Sequence, residues 1–157
     1  MENKFLKVLL LVCFLTLTSC SAQKSNYYSS SISFEKIGSH SYGGFQEEIY
    51  YVITDIQLLK KIYTQINLAR KPGLQLPTID FDKECVVALF MGQKKSGGFA
   101  VEMDSIINKK NNSFEIIIKE ISPIDMASMA ITKPFIIYKL NIPNPKIKFI
   151  KSIRVSK

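Results

Sequence analysis

Cys85-Val86-Val87-Ala88-Leu89-Phe90-Met91 runs for seven residues without one polar side chain. Side chains on a strand alternate between two faces, so a strand of this composition has no face to offer to water and must be covered on both sides. It reads as the central strand of the core. Downstream the pattern changes to period two. Phe99, Val101, Met103 and Ile107 alternate with Glu102 and Asp104, then Phe114, Ile116 and Ile118 alternate with Glu115 and Lys119. Near the end Ile147, Phe149, Ile153 and Val155 alternate with Lys148, Ser152 and Arg154. Strands of this kind bury one side and read as antiparallel. Asn108-Lys109-Lys110-Asn111-Asn112-Ser113 lies between two of them and predicts a hairpin turn.

Upstream of the apolar run, Leu59, Ile62, Tyr63 and Ile66 share one helical face. Thr54-Asp55-Ile56-Gln57 supplies a capping box, and Arg70-Lys71-Pro72-Gly73 ends the helix. Weaker strand patterns cover residues 32–37, 49–53 and 135–140. The fold class that follows is α+β: mainly antiparallel β sheet or sandwich with one principal α-helix, in a single domain, as a chain of 157 residues allows. A sheet with the helix packed on one face is the simplest assembly.

The N-terminal end has a different character. Lys4 and Lys7 precede the apolar stretch Val8-Leu9-Leu10-Leu11-Val12-Cys13-Phe14-Leu15, which is too short for a hydrocarbon core of about 30 Å. Residues 1–19 read as a signal peptide. The ending Leu17-Thr18-Ser19-Cys20 resembles the lipobox of bacterial lipoproteins, in which the cysteine is acylated and becomes the first mature residue. The resemblance makes Cys20 the lipidation site and the bilayer a partner, since two or more acyl chains anchor a protein durably. Cleavage near Ser21-Ala22-Gln23 by an ordinary signal peptidase is the alternative. Residues 20–31 are polar and aperiodic and predict a flexible tether, and residues 32–157 form the folded domain. By the sorting rules of such lipoproteins, Ser21 after the cysteine favours the outer membrane. With no acidic cluster following, the periplasmic face is expected.

Composition excludes several chemistries. With one histidine, His40, nucleophilic catalysis by Ser or Cys has little to draw on, and His40 reads as an exposed loop residue among Ser and Gly. Cys85, in the most apolar run, reads as an inert buried thiol. Asp80, Asp82 and Glu84 read as a solvated turn without calcium-loop spacing. No catalytic residue, metal or cofactor is expected. The formal charge is +8, but the leader and the presence of only two arginines, Arg70 and Arg154, argue against nucleic acid. The most unusual stretch is Gly92-Gln93-Lys94-Lys95-Ser96-Gly97-Gly98-Phe99. It lacks the Lys-Ser/Thr of a phosphate loop, and it reads either as a plain hairpin turn or as a binding loop presenting lysines and backbone. As a binding loop, it makes Lys94, Lys95, Ser96, Gly97, Gly98 and Phe99 the partner-binding residues, with residues 42–45 as a possible neighbour.

Asp80-Phe81 before the buried strand, Gly92, the turn Ser96-Gly97-Gly98-Phe99, and Thr132-Lys133-Pro134-Phe135 leading into a strand resemble the C-terminal domain of the PrcB family. Ser96 and Phe99 stand where that family usually has Thr and Tyr. The resemblance extends over roughly residues 45 to 155. It implies a noncatalytic envelope lipoprotein that binds and stabilises a protease or another exported protein. The Gly-Gly-aromatic turn is also faintly similar to that of chagasin-type protease inhibitors, and a small-ligand or lipid carrier is a third expectation.

Overall fold

The computed structural model describes residues 32–156 apart from residues 44, 69, 125–128, 153 and 154. The expected signal peptide, Cys20, the expected tether and Ile153 lie outside the described residues. The elements are β1 (Phe34–His40), β2 (Glu48–Ile53), α1 (Ile56–Asn67), β3 (Cys85–Met91), β4 (Ala100–Asn108), β5 (Ser113–Ser122), β6 (Phe135–Leu140), β7 (Lys146–Lys151) and β8 (Val155–Ser156). They form two sheets, β1-β6-β3-β2 and β4-β5-β7, with β8 pairing farther along β5. The fold is α+β, as the residue pattern predicts.

All seven residues of β3 are buried, because each of its faces meets a different layer. Val86, Ala88 and Phe90 pack with Leu59, Ile62, Tyr63 and Ile66 of α1. Cys85, Val87, Leu89 and Met91 pack with Val101, Met103, Phe114, Ile116 and Ile118 of the second sheet. Helix, first sheet and second sheet are therefore three layers, not one sheet with a helix on it. Strand β6, a weaker expectation from the sequence, lies beside β3 and is as central: Phe135, Ile137 and their neighbours divide between the same two cores. Helix α1 is capped by Asp55, whose carboxylate accepts from the N–H groups of Gln57 and Leu58, so the cap sits one residue later than a Thr54 capping box would place it.

Three further expectations are corrected. Strand β7 runs parallel to β5, not antiparallel, because the chain leaves the second sheet to lay down β6 in the first and must cross back. Within β4 the register shifts between Met103 and Ser105, and the shift moves the inward position from Ile107 to Ile106. His40 ends strand β1 instead of sitting in a loop, although it is exposed. The β4–β5 hairpin is as expected, with Asn111 and Asn112 at φ of 61° and 54° and Lys109 N–H donating to the Ser113 carbonyl.

The two sheets are fastened along the β2–β7 side. The Tyr50 and Phe149 rings lie 5.3 Å apart, and Lys151 bridges Glu48 of β2 and Glu120 of β5, the latter at 3.0 Å. Glu120 occupies an inward position of β5 and is only 7% exposed, so its ion pair with Lys151 offsets a costly burial. Burial pushes the Glu48 carboxyl up, but the hydrogen bonds it accepts from Lys151 and Tyr50, with the lysine charge, outweigh this and hold it below its ordinary 4.5. A carboxyl with a depressed folded value stabilises fully above its unfolded value and loses that contribution as the pH falls through the folded one. Thermal unfolding followed from pH 7 to pH 3 should therefore show stability declining below about 4.5. The decline should be shallower in Glu48→Gln than in the parent, and identical slopes would remove Glu48 from the account.

Candidate partner-binding site

The Gly92–Phe99 stretch is not a hairpin. It carries the chain from the end of β3 in one sheet to the start of β4 in the other. Gly92 opens it at φ +69°, where a Cβ would stand 2.8 Å from the Glu48 nitrogen, so only glycine fits both the dihedral and the space. Next, Gln93 N–H donates to the Gln46 carbonyl at 2.9 Å, and the two glutamine side chains hydrogen-bond at 2.9 Å.

The segment from Thr132 to Pro134 clasps the turn. Lys94 N–H donates to the Thr132 carbonyl at 2.8 Å and Thr132 N–H returns to the Lys94 carbonyl at 3.0 Å. Thr132, 3% exposed, also donates its hydroxyl to the Ser96 carbonyl at 2.8 Å. Met91 N–H donates to the Pro134 carbonyl and Lys133 N–H to the Ser41 carbonyl. One short segment thus ties together the end of β3, the turn and the residues after β1. This brings Tyr42 beside the site: it forms a bridge with Lys133 and is 45% exposed. Phe45, by contrast, turns into the helix-side core, its ring 4.2 Å from that of Phe90.

The expected site residues divide accordingly. Lys95 and Gly98 are exposed at the tip, with Gly98 at φ +81°, so the left-handed position is Gly98 and not Gly97. Lys94 is half-buried, its Nζ 5.8 Å above the Phe99 ring, a cation–π contact. Phe99 packs on the inter-sheet core, and Ser96 is buried, so its role is to present a carbonyl to Thr132 and not a hydroxyl to a partner. Thr132 is the residue that sequence reasoning missed as part of the site; its signal was the Thr-x-Pro-Phe string itself. The site can offer a partner lysine charge, exposed glycine backbone and the Tyr42 ring.

Elsewhere the groups with chemical potential are already engaged. Burial pushes the Cys85 thiol up to about 12, far from a nucleophile's range. His40 is held below its ordinary value, first by burial and then by the Arg70 charge, and its Nδ1 accepts from the Tyr42 N–H at 3.1 Å. Asp80 accepts from Lys83 at 2.7 Å and from the Asp82 N–H, while Glu84 accepts from the Asp80 N–H and faces Lys139. Among the described residues no group of His, Cys, Asp and Glu is placed to hold a metal ion, and no helix is long and apolar enough to cross a membrane.

A two-sheet domain with a clasped, lysine-bearing crossover turn is the class of structure defined here. Residues 85–141 match the family model described as PrcB C-terminal, which bears out the resemblance over a narrower span than residues 45 to 155. The match begins with β3, ends just after β6 and so contains both the turn and its clasp. No curated protein and no solved structure matches the chain.

Removing the Thr132 hydroxyl tests the clasp. Thr132→Val should destabilise the domain by about 1–3 kcal/mol, because the buried Ser96 carbonyl loses its donor. In limited proteolysis the variant should be cut within residues 93–99 sooner than the parent. Equal protection of the turn in both proteins would show that the clasp does not hold it.

Proposed function

We propose that this protein is a noncatalytic lipoprotein of the bacterial envelope, anchored through acylated Cys20, that binds and stabilises a protease or another exported protein. The observation that carries the reading is the match of residues 85–141 to the PrcB C-terminal family together with the place of the turn inside that span. The resemblance implies a subunit that assists a protease without performing the chemistry. The turn suits such work. Its base is fixed by the Thr132 hydrogen bonds, so little conformational entropy is lost when a partner docks, while Lys95 and Gly98 stand free to make contact. An outer-membrane location with the domain in the periplasm would place it beside exported proteins.

The test uses full-length protein crosslinked in native membranes, with partners identified by mass spectrometry. Lys95→Glu should leave thermal stability within about 0.5 kcal/mol, as exposed substitutions do. Lys94→Glu should cost somewhat more, about 0.5–1 kcal/mol, since it also removes the contact with Phe99. The double reversal should sharply reduce the yield of crosslinked partner and weaken its dependence on salt. Unchanged capture would move the binding surface elsewhere on the domain. Cys20→Ala should abolish incorporation of labelled palmitate and release the protein from the membrane fraction; a variant still membrane-bound would overturn the anchoring.

A further inference from the structure

The two sheets are unequally covered. The first carries α1 on its outer side and the second sheet on its inner side, whereas none of the described helices and strands is layered on the outer side of β4, β5 and β7. A sheet face that borders water is expected to carry polar side chains. Here Ile117 and Ile121 of β5, Ile107 of β4 and Ile150 of β7 hold outward positions, and none of the four belongs to either core. All four are half-buried. Ile117 and Ile150 stand side by side in the pairing, with Ser105 on the other flank, so the centre of this face bears no charge.

The charges lie to either side of that centre and differ in sign. Toward the β4–β5 hairpin, Glu115 is beside Lys148 in register and 2.9 Å from the Lys109 ammonium, so among the described residues this end has an excess of positive charge. Toward the start of β4, Lys119 is opposite Glu102 and exposed Asp104 follows at the register shift, so this end has an excess of negative charge. Consider a second copy turned by half a revolution about a line drawn across the three strands at Ile117. Its negative end then covers the positive end of the first, Glu115 meets Lys119 of the second copy, and Ile117 and Ile150 each meet their own counterparts. A half-turn about the strand direction instead sets Glu115 against Glu115 and Lys119 against Lys119. The charges favour the first arrangement and oppose the second.

We propose that the outer face of the second sheet is a homodimer interface, in which two copies stack β4-β5-β7 on β4-β5-β7 about the axis across the strands. Strands of nine, ten and six residues, spaced about 4.8 Å apart, present a face roughly 14 Å wide and 20 to 30 Å long. Such an area is at the small end for a specific interface, so the dimer is weak and reversible. The crossover turn lies outside this face. The inference therefore goes beyond the partner-binding reading and does not depend on it.

The experiment is thiol crosslinking of the full-length protein in intact cells, with a short membrane-permeant bis-maleimide that spans the roughly 10 Å between packed sheets. Cys85 is buried, and the parent chain is the control. Ile117→Cys and Ile150→Cys, both on the axis, should each give a crosslinked dimer of the protein. Ile107→Cys, off the axis and far from its counterpart, should give none. In the Ile117→Cys background, Lys119→Glu should lower the initial crosslinking rate about tenfold, because like charges then oppose each other at two symmetric places. Adding Glu115→Lys should restore most of the rate, which separates a lost contact from a poorly folded variant. No dimer above the parent level, equal crosslinking from Ile107→Cys, or capture by Ile117→Cys of other proteins in place of its own copy would each overturn the proposal. A rate indifferent to Lys119→Glu would overturn it as well.

Discussion

Strand β3 has to be apolar on both faces, and the rest of the fold is arranged to satisfy that requirement. Its even-numbered residues need the helix and its odd-numbered residues need the second sheet, so neither layer can be dispensed with. Its main-chain groups are buried as well and need partners, which β6 and β2 supply from either side. The chain must then leave this sheet at Met91 and climb to the other layer. The crossover turn is the direct result, and its sharp start at Gly92 follows from how close the β2 backbone passes.

A turn bridging two sheets cannot be held by a strand ladder on either side, and the Thr132 segment takes that role. It is itself the entry to β6, so the same few residues that begin a central strand also clamp the turn. The segment matching the PrcB C-terminal family runs from β3 to just past β6 and so contains the buried strand, the turn and the clasp together. Ser96, conservative in shape with the Thr usual in that family, contributes its main-chain carbonyl, which any residue would provide.

The two sides of the sandwich differ in how they resist water. Toward β7 the gap between sheets is filled by aromatic rings and by a lysine held between two carboxylates, one of them deeply buried. Toward β1 there is no such filling, and Phe34, Lys36 and Ser39 are left exposed on a face that elsewhere forms core. A sandwich whose sheets hold four and three strands has this asymmetry built into its topology.

Much of this was legible in the residues alone. The unbroken apolar run fixed β3 as covered on both faces, the period-two stretches gave β4, β5 and β7, and the spacing of Leu59, Ile62, Tyr63 and Ile66 gave the buried face of α1, because burial periodicity is a local property of the chain. The string Ser96-Gly97-Gly98-Phe99 marked the turn, and the later Thr132-Lys133-Pro134-Phe135 was visible beside it. Pairing between distant segments was not visible. That β7 runs parallel to β5, that the turn spans two sheets, that Thr132 donates to Ser96 and that β1 lies uncovered all depend on which strands meet, and period-two patterning is the same for a parallel or antiparallel neighbour in either sheet. The shift from Ile107 to Ile106 likewise had no local signal, since one extra residue in β4 is set by its fit to β5. The sequence determined which faces are buried; the tertiary structure decided what buries them, because hydrophobicity acts without direction while hydrogen-bond register does not.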